Sequence, residues 1–315
     1  MRKVNNKKTF QCISLLLMLI NLFSDVYAQW ESDKWLENPV SDEIFQTYLE
    51  FFTYDKNLNF DLNIRDKSVT DGILRERITF TSTDSMAVTA DYYKPNISNL
   101  SEKRPHIIVV HGGTPRGKDG MYNRVVKGLI RNGMNVLAID MLHFGERKTG
   151  LITTFRNDDK ATNLYNRKSV YLDWVIQTTK DVSRSFDLLV DHYNALPDKI
   201  GYVGISRGGQ VGFIITGVEK RFKAAALLIA GHLDALETGH LAAACPANYV
   251  ARIYPTPTFL LNGTFDSDYD MERSVKPLHE QFNPESTEIH WMEVGHTITD
   301  DGFNLMNNWL ANTLR

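Results

Sequence analysis

Lys199-Ile200-Gly201-Tyr202-Val203-Gly204-Ile205-Ser206-Arg207-Gly208-Gly209 is the stretch on which the reading of this chain turns. Residues 199–205 read as a buried strand, and residues 208–217 as a helix leaving from it. Glycines at 204 and 208 flank the serine. They allow a very tight strand-to-helix turn that lifts the Ser206 hydroxyl above the sheet. The serine also stands at a helix start, where partial positive charge favours a developing oxyanion. Ser206 is therefore the candidate nucleophile. Without a partner base, the same pattern would be a glycine-rich turn with an incidental serine.

Outward from that turn, short apolar runs alternate with helical periods. Strands are expected at 106–110, 135–139, 224–230, 258–262 and 288–293, with helices at 123–131, 170–193 and 304–314. Upstream, Arg77-Ile78-Thr79-Phe80 and Val88 to Tyr93 read as an antiparallel hairpin around Thr83-Asp84-Ser85. Such an order implies an α/β domain: a mostly parallel central sheet with helices on both faces. Residues 43–52 carry a helical period and are expected to pack on the domain edge. The reading divides the chain into 1–28, an N-terminal extension at 29–76 and a catalytic domain at 77–315.

A serine needs a base near neutral pH. His296, in Val294-Gly295-His296-Thr297, follows the last expected strand and lies downstream of Ser206. The acid that orients the imidazole is expected after the preceding strand, where Asp266, Asp268 and Asp270 compete. Asp266 stands three residues after the turn glycine Gly263 and is preferred, with Asp268 second. Two backbone donors complete the chemistry: the Arg207 N–H, and an N–H from His111-Gly112-Gly113-Thr114 after the first core strand. Gly113 is named for that second donor, with Thr114 close behind, and His111 is read as a structural loop residue.

With these residues in place, the chain resembles the α/β-hydrolase superfamily, closest to its dienelactone-hydrolase-like and acyl-esterase branches. The resemblance covers residues 77–315. It rests on the Ser206 turn, His111-Gly112-Gly113, the strand-end Asp140 with Gly145, the turn from Gly263 to Asp266, and Gly295-His296. The helix from Asp181 to Tyr193 leading through Pro197-Asp198-Lys199-Ile200 belongs to the same pattern. Two departures stand out. Dienelactone hydrolases proper carry a cysteine nucleophile, so the resemblance with a serine implies ordinary carboxylic-ester hydrolysis, with no cofactor. Arg207 follows the nucleophile where Met or Gln is common; its side chain would bind an anionic substrate group or pair with a surface acid. Two rivals remain: a serine peptidase or amidase, and a non-catalytic binding protein on a hydrolase scaffold.

The remaining segments are less specific. His143 follows a core strand at the catalytic edge and is named as a substrate-binding residue, with a buried structural histidine as the alternative. Residues 146–169 would form a short cap carrying Arg147, Lys148, Phe155, Arg156, Tyr165 and Arg167. Residues 231–254 would form a pocket wall; their His232, Asp234, Glu237 and His240 match no metal motif, and no metal is expected. Asn96, Asn99 and Asn262 begin glycosylation sequons.

Arg2, Lys3, Lys7 and Lys8 precede an apolar run from Ile13 to Phe23 and the small-residue site Val26-Tyr27-Ala28, a signal-peptide pattern. Export to the periplasm or outside is the expectation, without stable membrane insertion after cleavage. Four of the 35 basic and one of the 38 acidic residues lie in residues 1–28, leaving −6 on the remainder. That mild acidity argues against a nucleic-acid partner. Of two cysteines, only Cys245 would survive cleavage, which excludes an intramolecular disulfide. The expected partner is a small-molecule or glycan-linked ester. Nothing in the sequence reads out the oligomeric state.

Overall fold

A computed structural model describes residues 34–97, 104–154, 159, 161–232 and 240–315 of the 315-residue chain. The expected signal peptide 1–28, the sequon residue Asn99, Phe155 and Arg156 of the expected cap, and Asp234 and Glu237 lie outside the described residues. Nine strands form one sheet: β1 Asn63–Thr70, β2 Ile73–Thr81, β3 Ala87–Pro95, β4 His106–Val110, β5 Asn135–Ile139, β6 Ile200–Ile205, β7 Ala224–Leu228, β8 Thr258–Gly263 and β9 Thr287–Met292. Their spatial order is β1-β2-β3-β5-β4-β6-β7-β8-β9. The first three pair antiparallel, β3 joins β5 antiparallel, and every pairing from β5 to β9 is parallel. The expected mostly parallel sheet is present.

The central strands are buried throughout and mostly apolar because both of their faces are covered. In β4, Ile108 and Val110 join one core cluster, while Ile107 and Val109 join the other. The main helices are α1 Asp42–Leu49, α2 Lys127–Arg131, α3 Lys168–Tyr193, α4 Arg207–Val218, α5 Lys276–His279 and α6 Asp300–Thr313. Trp174, Phe186 and Leu189 of α3, with Phe213 of α4, pack into the first cluster; Leu129 of α2 and Met306 and Leu310 of α6 pack into the second. α3 stops at Asn194, whose left-handed backbone turns its N–H back to Leu189 O.

The N-terminal extension is part of this core. Phe45, Phe52 and Phe60 lie in the first cluster, and Phe45 meets Tyr249 edge-on at 5.4 Å. The boundary expected between 76 and 77 falls inside β2, so the sheet begins at residue 63. Asn262 is fully buried and donates to Ala230 O at 2.9 Å, so its sequon offers no site for a glycan. Among the described residues, no helix is long and apolar enough to cross a membrane.

Parallel strands deliver their following loops to one edge of the sheet. One set of these loops is locked around Asp140, directly after β5. Its Oδ1 accepts the Lys118 N–H at 2.8 Å. Its Oδ2 accepts from Lys118 Nζ and Thr89 Oγ1 at 2.7 Å and from the Glu146 N–H at 3.2 Å. Gly117 and Gly145, both at positive φ, wrap the carboxylate so closely that an added Cβ would sit 2.1 Å and 2.0 Å from Oδ1. Arg147 Nη1 ties the node to α3 through Asp140 O at 3.0 Å and Asp181 Oδ2 at 2.6 Å.

Candidate active site

Ser206 joins β6 to α4 with φ 52° and ψ −111°, a conformation that L residues rarely hold. Such a backbone stores roughly 1–3 kcal/mol and persists only where its surroundings fix it. Here the Ser206 N–H donates to Leu228 O and the Ser206 carbonyl accepts the Gln210 N–H, both at 2.8 Å. The flanking glycines make the turn possible. A Cβ at 204 would approach Gly208 O to 2.3 Å, and one at 208 would approach Val110 O to 2.3 Å.

His296 stands over this turn. Its Nε2 lies 2.8 Å from Ser206 Oγ, and its Nδ1 lies 2.8 Å from Asp266 Oδ2. The Asp266 carboxylate accepts only, so Nδ1 carries the proton and Nε2 presents its lone pair to the serine hydroxyl. The second Asp266 oxygen accepts the N–H groups of Asp268 and Tyr269 at 2.8 Å and 3.0 Å. Gly263 brings the two loops together: a Cβ there would lie 2.4 Å from Gly295 O.

The three competing aspartates separate cleanly. Asp266 takes Nδ1. Asp268 Oδ2 lies 3.7 Å from the opposite nitrogen, Nε2. Asp270 caps the next helical turn, accepting from the Glu272 and Arg273 N–H groups.

The loop after β4 runs beside the nucleophile, where a Cβ on Gly112 would stand 3.3 Å from Ser206 Cβ. Gly112 O accepts the Thr114 N–H at 2.7 Å and the His111 Nδ1–H at 2.6 Å. Its peptide partner, the Gly113 N–H, therefore points the other way across a trans amide. That geometry separates the two donor candidates: the Thr114 N–H is engaged within the loop. His111 is fully buried, and burial holds its imidazole below the usual histidine range. Its Nε2 accepts the Met141 N–H at 3.1 Å, so it bridges the β4 and β5 loops as a neutral ring.

Ser206 and His296 open onto a pocket of about 710 Å³. Met121, Ile205, Ile298 and Phe303 supply apolar lining; His232, Asp268, Asp270 and Arg273 supply polar lining. Thr153 and Thr154 bring the expected cap segment to its rim. Arg124 also lines the pocket, and nothing in its helical sequence context distinguishes it from an ordinary surface arginine.

His143, expected to touch substrate, is absent from the pocket lining. A positive φ of 72° turns it aside, and its Nδ1 lies 3.0 Å from Thr149 Oγ1. The strand-end position gave the right edge of the sheet but not the side-chain direction. The Arg207 side chain lines the same pocket. It is buried, lies 4.3 Å over the Tyr165 ring and donates to Gln210 Oε1. His240 stacks on Tyr171 at 3.8 Å, with Nε2 2.8 Å from Tyr165 O. Among the described residues, no group of three or more His, Cys, Asp or Glu side chains could hold a metal.

No family model matches the sequence, and no curated protein matches it. Solved structures do. An acetyl xylan esterase from Thermoanaerobacterium sp. superposes with a TM-score of 0.70 at 14% identity, over 90% of this chain and 98% of that one. An acetyl xylan esterase from Paenibacillus sp. gives 0.63 at 13% identity, over 89% and 99%. A cold-adapted esterase from an Arctic intertidal metagenomic library gives 0.62 at 17%, over 82% and 100%. The fold is that of the α/β-hydrolases.

Proposed function

We propose that this chain is an exported serine esterase in which Ser206, His296 and Asp266 form a catalytic triad and carboxylic esters are cleaved through an acyl-enzyme. The observation that carries the reading is the pair of 2.8 Å hydrogen bonds linking Asp266, His296 and Ser206 at the mouth of a pocket. The structural neighbours, two acetyl xylan esterases and a cold-adapted esterase, support the ester over the amide. An acylated polysaccharide is accordingly the proposed substrate. The signal-peptide pattern of residues 1–28 supports export, where such polymers are met.

His296 Nε2 takes the Ser206 proton as Oγ attacks the ester carbonyl, and Asp266 holds the imidazole in the required tautomer and stabilises its cation. Charge then gathers on the carbonyl oxygen. The Arg207 N–H at the start of α4 and the Gly113 N–H receive it, each donor contributing about 3 kcal/mol to the transition state. His296 returns the proton to the departing alcohol. Water repeats the sequence on the acyl-enzyme and releases the acid.

A chromogenic acetyl ester should be hydrolysed by the wild-type protein, and Ser206→Ala should lower kcat by about four to six orders of magnitude. A fluorophosphonate probe should label the wild type and not the variant. Equal hydrolysis by the two proteins would sink the assignment.

A further inference from the structure

Three arginines line the pocket onto which Ser206 and His296 open, Arg124, Arg207 and Arg273, against two aspartates, Asp268 and Asp270. Arg207 is occupied by Tyr165 and Gln210. Arg124 has an uncommitted charge. Its helical neighbours supply no acid: Gly120 and Met121 stand a turn before it, Lys127 and Gly128 a turn after. Asp119, one residue further back, is taken by Arg77. Among the described residues, no side chain forms an ion pair or hydrogen bond with the Arg124 guanidinium. Elsewhere the fold pairs its arginines, and Arg65, Arg75, Arg77, Arg147 and Arg221 each meet a carboxylate at 2.5 to 2.8 Å. On open surface, water alone would satisfy such a cation. Arg124 instead shares the pocket with Met121, Ile298 and Phe303, and a substrate lying against those apolar walls displaces water and strengthens the pull on an anion.

A guanidinium offers five N–H donors in a planar fork and accepts nothing. The ester carbonyl is a poor partner for it, because that oxygen goes to the Arg207 and Gly113 N–H groups. A carboxylate elsewhere on the substrate fits the fork, with two parallel, charge-assisted hydrogen bonds. A neutral alkyl ester leaves the cation to water and gains nothing. We infer that Arg124 is a specificity-determining residue that selects esters carrying a free, ionised carboxyl group. This rests on the proposed esterase reading and adds an anionic group to its substrate. The group belongs to the acid or to the alcohol of the ester, and its recognition is chemically the same in both.

The test sets each anionic ester against its neutral primary amide. Monoethyl succinate and monoethyl adipate carry the carboxylate on the acid; acetoxyacetate and 4-acetoxybutanoate carry it on the alcohol. Release of ethanol or acetate gives kcat/KM, and the quantity compared is the ratio of anion to amide in wild type, Arg124→Lys and Arg124→Gln at pH 7. For at least one of the two kinds of ester, Arg124→Gln should lower the ratio about 10-fold, the scale of a hydrogen bond to a charged group. Arg124→Lys keeps the charge without the fork and should fall between. The wild-type ratio should also drop as salt rises from about 0.01 M to about 1 M, more than in Arg124→Gln. A change confined to the succinate and adipate places the carboxylate on the acid, and one confined to the acetoxy acids places it on the alcohol. A ratio equal in wild type and Arg124→Gln throughout, or indifferent to salt, overturns the inference and leaves the esterase reading intact. Labelling of Ser206 by the fluorophosphonate without hydrolysis of any anionic ester overturns it as well. If Ser206 resists the probe and no ester is hydrolysed, the esterase reading falls and takes this one with it.

Discussion

Asp140 and Asp266 begin alike and end differently. Each follows a parallel strand at the same edge of the sheet, and each side chain is shut off from solvent. Asp140 is ringed by four hydrogen bonds, from Lys118 twice, Thr89 and Glu146, and every partner is itself held in place. Asp266 accepts two bonds from its own loop and one from His296, and that last bond leads outward through Ser206 to a pocket. The closed network fixes a loop; the open one supports a reacting atom. A buried strand-end aspartate is thus no more than a placed carboxylate, and what its partners lead to decides its use.

The largest expected effect breaks this pair apart. Asp266→Ala should lower kcat about 10⁴-fold, because the imidazole loses both its tautomer and the partner of its cation. Asp140→Ala should act on the other axis. It leaves the buried Lys118 ammonium with Glu146 alone and frees the two glycine-bearing turns, costing about 3–5 kcal/mol of unfolding free energy. Urea unfolding and ester kinetics on both variants test the contrast. It fails if Asp140→Ala remains as stable as wild type and instead loses turnover.

A smaller effect sharpens the comparison at the seam between the networks. Gly112 lies beside Ser206, and its carbonyl is held by His111, whose other nitrogen reaches the loop after β5. A Cβ at this position would press on Ser206 at 3.3 Å and on Ile205 O at 3.4 Å. Gly112→Ala should therefore displace the attacking oxygen and reduce kcat about 10- to 100-fold, with the thermal midpoint nearly unchanged. A large drop in the midpoint with normal kcat per folded molecule would reverse that reading.

The same pair explains what could be read in advance. Ser206 and His296 are announced by their local chain, a glycine-flanked strand end and a glycine-histidine loop, so their meeting across 90 residues follows from the strand order. The choice among Asp266, Asp268 and Asp270 depends on which face of one imidazole each carboxylate meets, and a spacing of two residues cannot encode that. The Asp140 node was visible only as an aspartate and a nearby glycine. Its meaning needs Gly117 and Gly145 folded around the carboxylate from two separate loops. β1 was missed because seven of its eight residues are exposed and most are polar, so no apolar alternation marks it. Its partner β2 supplies the pairing that makes it a strand.

His279 offers the smallest effect and a third condition to set beside the two aspartates: a titratable group buried with no partner. It lies at the end of α5, 4% exposed, against Phe282 and Trp291, and neither ring nitrogen has a hydrogen bond. Burial pushes its imidazole down to about 3 from an ordinary 6.5. The folded state therefore keeps the ring neutral where the unfolded chain already takes up a proton. Stability from this residue is complete above about pH 6.5 and is lost progressively as pH falls toward 3, by at most about 1.4 kcal/mol per pH unit. His106, held near 4 mainly by burial, adds a second loss within the same window. Replacing His279 by Leu removes this residue's proton from those taken up on acid unfolding. Urea unfolding at pH 7, 6 and 5 should thus show a shallower fall for His279→Leu than for wild type. Parallel lines would mean that the ring finds a partner or reaches water, and its contrast with the satisfied carboxylates would vanish.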